Sequence, residues 1–213
     1  FFFMSRLPLR FLGNPVLRKV CSPLTAQQLA SPELQLFSDS LLSTMVYKNG
    51  CGLAAPQVGR SWRTFVMLDP AMEDIDSDET EAEEDNEEVQ ALVVHNPVIR
   101  SFGKEIDYDL EGCLSIPSLL GLVPRSTSIT VEYNEADGCR VERELNGTFA
   151  RIFQHEFDHL EGVLFLDRLE NIKEDLHAEL EVNRLFREKN AQNHPLVKRL
   201  SPFSPWLDRL KDV

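Results

Sequence analysis

The stretch from Asn146 to Gly162 constrains this chain more than any other. At about 100° per residue, Phe149, Ile152, Phe153 and Leu160 fall on one helical stripe, and Glu156 falls in its middle. His155 and His159 lie on the edge of that stripe. Four residues apart, their imidazoles are about 6 Å apart along the axis and can reach one ion. A helix patterned this way must be covered by other elements, yet it carries a carboxyl group where a core residue belongs. Burial raises the pKa of such a group and a nearby dication lowers it, a balance that suits a carboxyl that accepts a proton and gives it back.

The rest of the chain supplies the cover. Its 213 residues suffice for one domain with a sizeable core. No run approaches the length of apolar sequence that a membrane-spanning helix needs. The net charge of −13 comes from 35 acids against 22 bases, and residues 73–88 hold eleven of those acids and no base. Outside that run the balance is 24 against 22, a net of −2, so the acidity belongs to one segment. No basic patch suited to phosphates is evident, which argues against nucleic-acid binding. Four scattered cysteines (Cys21, Cys51, Cys113, Cys139) do not make a disulfide framework, and free thiols in a reducing compartment are the simpler reading. The start of the chain has no acid before Glu33 and carries Arg6, Arg10, Arg18 and Lys19. It points to an organelle matrix, with bacterial cytoplasm as the alternative.

Ser31-Pro32-Glu33 reads as a helix start, and Asn49-Gly50 as its stop, which predicts a helix over 32–48. Residues 62–68 and 91–95 have strand composition and flank the acidic run, which is expected to be a disordered surface insertion at about 72–89. Further antiparallel strands are expected over 98–110 and 127–145, the latter turning at Ala136-Asp137-Gly138. A third helix is expected at 168–190, with Ile172, Leu176, Leu180 and Leu185 or Phe186 on one stripe. Residues 1–195 thus read as a single catalytic domain. Residues 196–213 read as a tail docked on it through Trp206, Leu207 and Leu210.

Two histidines would hold a metal loosely, so a third ligand is needed. His95, His177, His194, the acids and the cysteines are all candidates. Cys113 stands apart because Glu111-Gly112-Cys113-Leu114-Ser115 is a glycine-containing break after strands, where the backbone can bend toward a ligand, although taken alone it reads better as a buried structural cysteine. A metallopeptidase shares the His-Glu-x-x-His pattern, but a cysteine is an unusual ligand for that class.

GCGLAAPQ (50–57), EGCLS (111–115) and HEFDHLEG (155–162), in this order, resemble the three signature motifs of peptide deformylases. The likeness covers roughly residues 11–170. It implies an α+β fold in which antiparallel sheets pack around a central helix carrying the metal-binding histidines, with further N-terminal and C-terminal helices. It implies hydrolysis of the N-formyl group from the initiator methionine of nascent polypeptides, with release of formate. By similarity, Cys113, His155 and His159 bind one divalent metal and leave a fourth position for water. Fe(2+) is expected natively, with Zn(2+), Ni(2+) or Co(2+) as substitutes. Glu156 moves the proton, while Gln57 and the backbone N–H of Leu114 stabilise charge on the formyl oxygen. The peptide lies along Gly50, Gly52 and Leu53 and around Gly112, and Ile152 lines the methionine pocket. The implied partners are N-formylmethionyl nascent peptides, with transient ribosome proximity, and neither nucleic acid nor membrane. Two departures from the family pattern stand out: Leu120 replaces an arginine common in Ser118-Leu119-Leu120-Gly121, and the acidic insertion is long.

Overall fold

The computed structural model describes residues 6–69, 91–188, 190–202 and 204–210, with side-chain detail ending at Leu207. The acidic insertion expected at about 72–89 lies outside them. After an extended arm and a short helix α1 (Ala26–Leu29), helix α2 runs over Pro32–Tyr47, within one residue of the expected span. Its start follows from local chemistry: the Ser31 hydroxyl accepts the Leu34 N–H at 3.2 Å, and Pro32 occupies the first turn. Asn49, with φ +52°, lets the chain leave the helix.

Strands β1 (Gly52–Ala54), β2 (Thr64–Leu68), β3 (Ala91–Phe102), β6 (Ser128–Asn134) and β7 (Arg140–Asn146) form one antiparallel sheet in the order β1-β2-β3-β6-β7. Strands β4 (Ile106–Cys113), β5 (Ile116–Ser126) and β8 (Leu176–Ala178) form a second, in the order β4-β5-β8. The strands expected over 98–110 are the end of β3 and the start of β4. The chain breaks at Gly103, and β3 and β4 go to different sheets.

Helix α3 (Gly147–Leu160) sits between the sheets. Its apolar stripe packs on the larger one, where the Phe153 ring meets Phe65 edge-on at 5.1 Å, beside Tyr133. Its other side faces β5, where the Gln154 amide donates to the Ser126 carbonyl at 2.9 Å. The expected arrangement of antiparallel sheets around a central helix is the one observed.

The helix expected over 168–190 is broken into α4 (Ile172–Asp175), β8 and α5 (Glu179–Leu185). Leu176, His177 and Ala178 pair with Gly121, Leu120 and Leu119 of β5, so sheet hydrogen bonding overrides local helical periodicity. The Asp175 carboxylate accepts the Asn171 N–H at 2.7 Å and closes α4 after one turn. The expected stripe is consequently not a face: Ile172 is 60% and Leu180 82% exposed, while Val182, Leu185 and Phe186 are buried. Helix α6 (Pro195–Arg199) follows, and Leu196, Val197 and Leu200 share a core with Leu110, Leu120 and Leu122; Trp206 and Leu207 pack against it.

Candidate metal centre

Strand β4 delivers the thiol. Its regular pairing with β5 ends at Gly112↔Leu120, and the next pair is Cys113↔Ile116. That register shift closes a tight turn through Leu114 and Ser115 and brings Cys113 Sγ to 3.3 Å from His159 Nε2. Helix α3 delivers both imidazoles, whose ring centroids are 5.0 Å apart. The donor atoms of Cys113, His155 and His159 all lie within 4.8 Å of one another, and no other such trio occurs among the described residues. Of the other histidines, His95 is buried against the Thr64 hydroxyl at 2.7 Å, and exposed His194 accepts the Leu196 N–H at the start of α6. His177 sits half-buried in β8. None joins the trio.

Three observations bear on whether a cation fits. His155 Nδ1 is engaged by Glu111 Oε2 at 2.9 Å, which leaves Nε2 facing the thiol side. His159 is 1% exposed, and its Nδ1 finds no hydrogen-bond partner among the described residues. One thiolate with two imidazoles is a soft donor set that suits a divalent transition metal. The residues present fit a metal.

Glu156 lies beside the trio, 3% exposed, with Oε2 unpartnered among the described residues. Burial pushes its carboxyl up to about 7, His155 pulling down and Glu111 pushing further up. Space for it depends on β1: a methyl group on Gly52 would sit 2.5 Å from Glu156 Oε1 and 2.7 Å from its Cγ. A methyl on Gly50 would sit 2.9 Å from Leu114 Cδ1, so both glycines hold β1 close to the site. Gln57 comes from a 3-10 turn at Ala55–Val58; its Oε1 accepts the Ala54 N–H at 2.7 Å, and its Nε2 points to Cys113 Sγ at 3.4 Å. Leu53 turns into the core with Leu41, Met45 and Val66, so only its backbone can meet a peptide. Gly112 is exposed at the mouth, and Ile152 lies one turn before Glu156, partly buried against the main core.

An ion network that no sequence motif announced lies beneath the trio. Arg125, 5% exposed, donates to both oxygens of Glu111 at 2.9 Å and to Asp158 at 2.6 Å. Arg151 adds a bond to Glu111 at 2.9 Å, and Arg168 reaches Asp158 at 2.5 Å. Burial alone would raise the Glu111 carboxyl, but Arg125 and His155 hold it well below the usual range. Glu111 therefore stays ionised and fixes the orientation of His155. Glu111 and Asp158 lie inside the quoted motifs, so their positions carried a signal. Arg125 carried none.

Three converging metal donors beside a buried carboxyl group pushed up to about 7 suit metal-dependent hydrolysis, and the fold and site place this chain among the metallohydrolases. The sequence model described as Polypeptide deformylase matches residues 7–175. The peptide deformylase of Thermus thermophilus is 41% identical over 200 residues, covering 91% of this chain and 97% of that protein. Peptide deformylase 2 of Nostoc sp. is 38% identical over 178 residues, covering 82% and 94%. The crystal structure of peptide deformylase from Thermotoga maritima superposes with a TM-score of 0.65 at 38% identity, over 78% of this chain and 99% of that one. A Met-Ala-Ser-bound class I type b peptide deformylase from Acinetobacter baumannii gives 0.67 at 36%, with the same coverage. The chain belongs to the peptide deformylase family, metal-dependent hydrolases that remove the N-formyl group from the initiator methionine of nascent polypeptides. No helix among the described residues is long and apolar enough to cross a membrane.

Proposed function

We propose that Cys113, His155 and His159 hold one divalent ion, natively Fe(2+), and that Glu156 is the proton-transfer group of deformylation. The observation that carries this reading is the closeness of the three donors, all within 4.8 Å, next to a carboxyl 3% exposed. When bound, such an ion would supply Lewis acidity and lower the pKa of its water to about 7. Glu156, pushed up to about 7 by burial, would accept a proton from the attacking water and return it to the leaving amine. The Leu114 N–H and the Gln57 amide serve as donors to the formyl oxygen, each worth about 2.7–4 kcal/mol of barrier. Gln57 is braced for this by its bond to Ala54.

The peptide backbone adds as a strand beside Gly50, Gly52 and Leu53 on β1 and around Gly112 on β4, and the methionine side chain enters beside Ile152. Binding of Met-Ala-Ser by the Acinetobacter relative supports this substrate class. Zn(2+), Ni(2+) or Co(2+) can replace iron at the same soft donors. Substrate supply requires formylated nascent chains, hence transient proximity to ribosomes. The bacterial relatives favour bacterial cytoplasm over the organelle matrix that the basic N-terminal stretch suggests. We read the described chain as one catalytic domain with the tail from 196 packed on it, because Leu196, Val197 and Leu200 join the core beneath β4 and β5.

Protein purified without oxygen is expected to carry about one ion per chain and to release formate from formyl-Met-Ala-Ser. Glu156→Ala should keep that ion and lose about 10²–10⁴-fold in kcat. An unchanged rate would refute the role given to Glu156. Cleavage of internal peptide bonds alone would refute the reaction.

A further inference from the structure

Among the described residues strand β4 pairs with β5 alone, and no strand lies on its other edge. Tyr108 lies opposite Pro124, which has no N–H to give, and the Thr127 N–H bonds to Glu105 C=O at 3.0 Å. Odd-numbered residues of β4 therefore bond to β5, and Tyr108, Leu110 and Gly112 direct their N–H and C=O groups outward. The chain's own tail engages the first part of this edge. The Tyr108 carbonyl accepts the Ser201 N–H at 2.6 Å. The Leu110 N–H donates to Asp109 Oδ1 at 2.7 Å, and that same oxygen accepts the Ser204 hydroxyl at 2.5 Å. Ser201 and Ser204, 4% and 3% exposed, are joined in one turn by the Ser204 N–H bonding to the Ser201 carbonyl at 2.9 Å. Between that turn and the metal centre, the Leu110 C=O and both backbone groups of exposed Gly112 face the edge, and the Tyr108 N–H lies beside the turn itself.

The edge of β1 is equally short. The Leu68 N–H bonds to Cys51 C=O at 3.0 Å, so Cys51 and Leu53 face β2 while Gly52 and Ala54 face outward. The Ala54 N–H is already taken by Gln57 Oε1.

We propose that the Ser201–Ser204 turn plugs the open edge of β4 at Tyr108–Asp109 and so sets how much of the substrate backbone the enzyme can pair. This rests on the reading that the peptide adds as a strand beside Gly112. From Gly112 to Tyr108 is four residues, about 13 Å at 3.3 Å per residue. A chain running from the metal centre along β4 meets the turn after about three residues and leaves the surface there. The enzyme thus reads the backbone of the first three residues and is indifferent to whatever follows, which fits a substrate pool made of every nascent chain.

Formate release from formyl-Met peptides of two to six residues tests this. In the full-length protein, kcat/KM should climb up to the third residue and stay within twofold beyond it. Two variants open the edge: a chain ending at Leu200, and Ser201→Pro in the full chain, which removes the donor to Tyr108 while keeping Trp206 and Leu207. Either, once shown to unfold cooperatively, should gain at least fivefold more from residues four and five. A wild-type profile still climbing past the third residue, or variants that plateau where the wild type does, overturns the proposal. Formate released from none of the peptides would instead overturn the functional reading beneath it.

Discussion

At the scale of single residues, the site depends on side chains kept where they do not belong by ordinary packing. Glu156 occupies the apolar stripe of α3 because β1 offers it a glycine. Gly52→Ala should force the carboxyl away from the trio and cost at least about 10²-fold in formate release while metal content stays unchanged. His95 shows a buried polar group of another kind. Burial pushes its imidazole down to about 4, and it stays neutral against Thr64. Between about pH 6.5 and 4 the unfolded chain takes a proton that the folded chain refuses, so His95 lowers stability as pH falls through that window, by about 3 kcal/mol in all. Denaturant melts from pH 7 to 4 should show this loss, and His95→Gln should reduce it. The thiols of Cys21, Cys51 and Cys139 are all pushed up, Cys21 by burial to about 11, Cys51 by burial and Cys139 by its contact with Asp137.

At the scale of elements, what could be read from the sequence was what local chemistry decides. Ser31-Pro32-Glu33 sets the start of α2, and the stripe of α3 places Glu156 and both histidines. Composition placed strands at 62–68 and 91–95 and the turning pair over 127–145, while β5 (Ile116–Ser126), the strand that pairs with β4, had no such signal. What could not be read depends on partners distant in sequence. Leu176–Ala178 is helical by pattern and becomes a strand because β5 has an edge to fill. Arg125 has no local signature, since its meaning lies in Glu111 and Asp158, which belong to a strand and a helix remote from each other. The pairing of Ser204 with Asp109 spans 95 residues and was equally invisible. The network makes its own prediction. Glu111→Gln removes the charge that orients His155 and compensates Arg125, so metal affinity should fall about 10–100-fold in chelator competition.

At the scale of the whole molecule, the metal ligands are a tertiary product, since β4 and α3 meet only in the folded chain. Binding energy is therefore available to folding. Metal at a hundred times its dissociation constant should stabilise the protein by about 2.7 kcal/mol, a rise of roughly 5–11 °C in Tm for a chain of this length. Calorimetry with and without chelator checks it, and Cys113→Ser should abolish the shift.

Cys113 also precedes His159 by 46 residues. At about 5–20 residues per second, a ribosome making this protein needs roughly 2–9 s to supply the last ligand after the cysteine is made. Until the helix that carries His159 is made and packed against β4, the sulfur has no partner imidazole to share a cation with. The order of ligands along the gene thus puts the closing of the metal centre after the translation of α3 in every new copy.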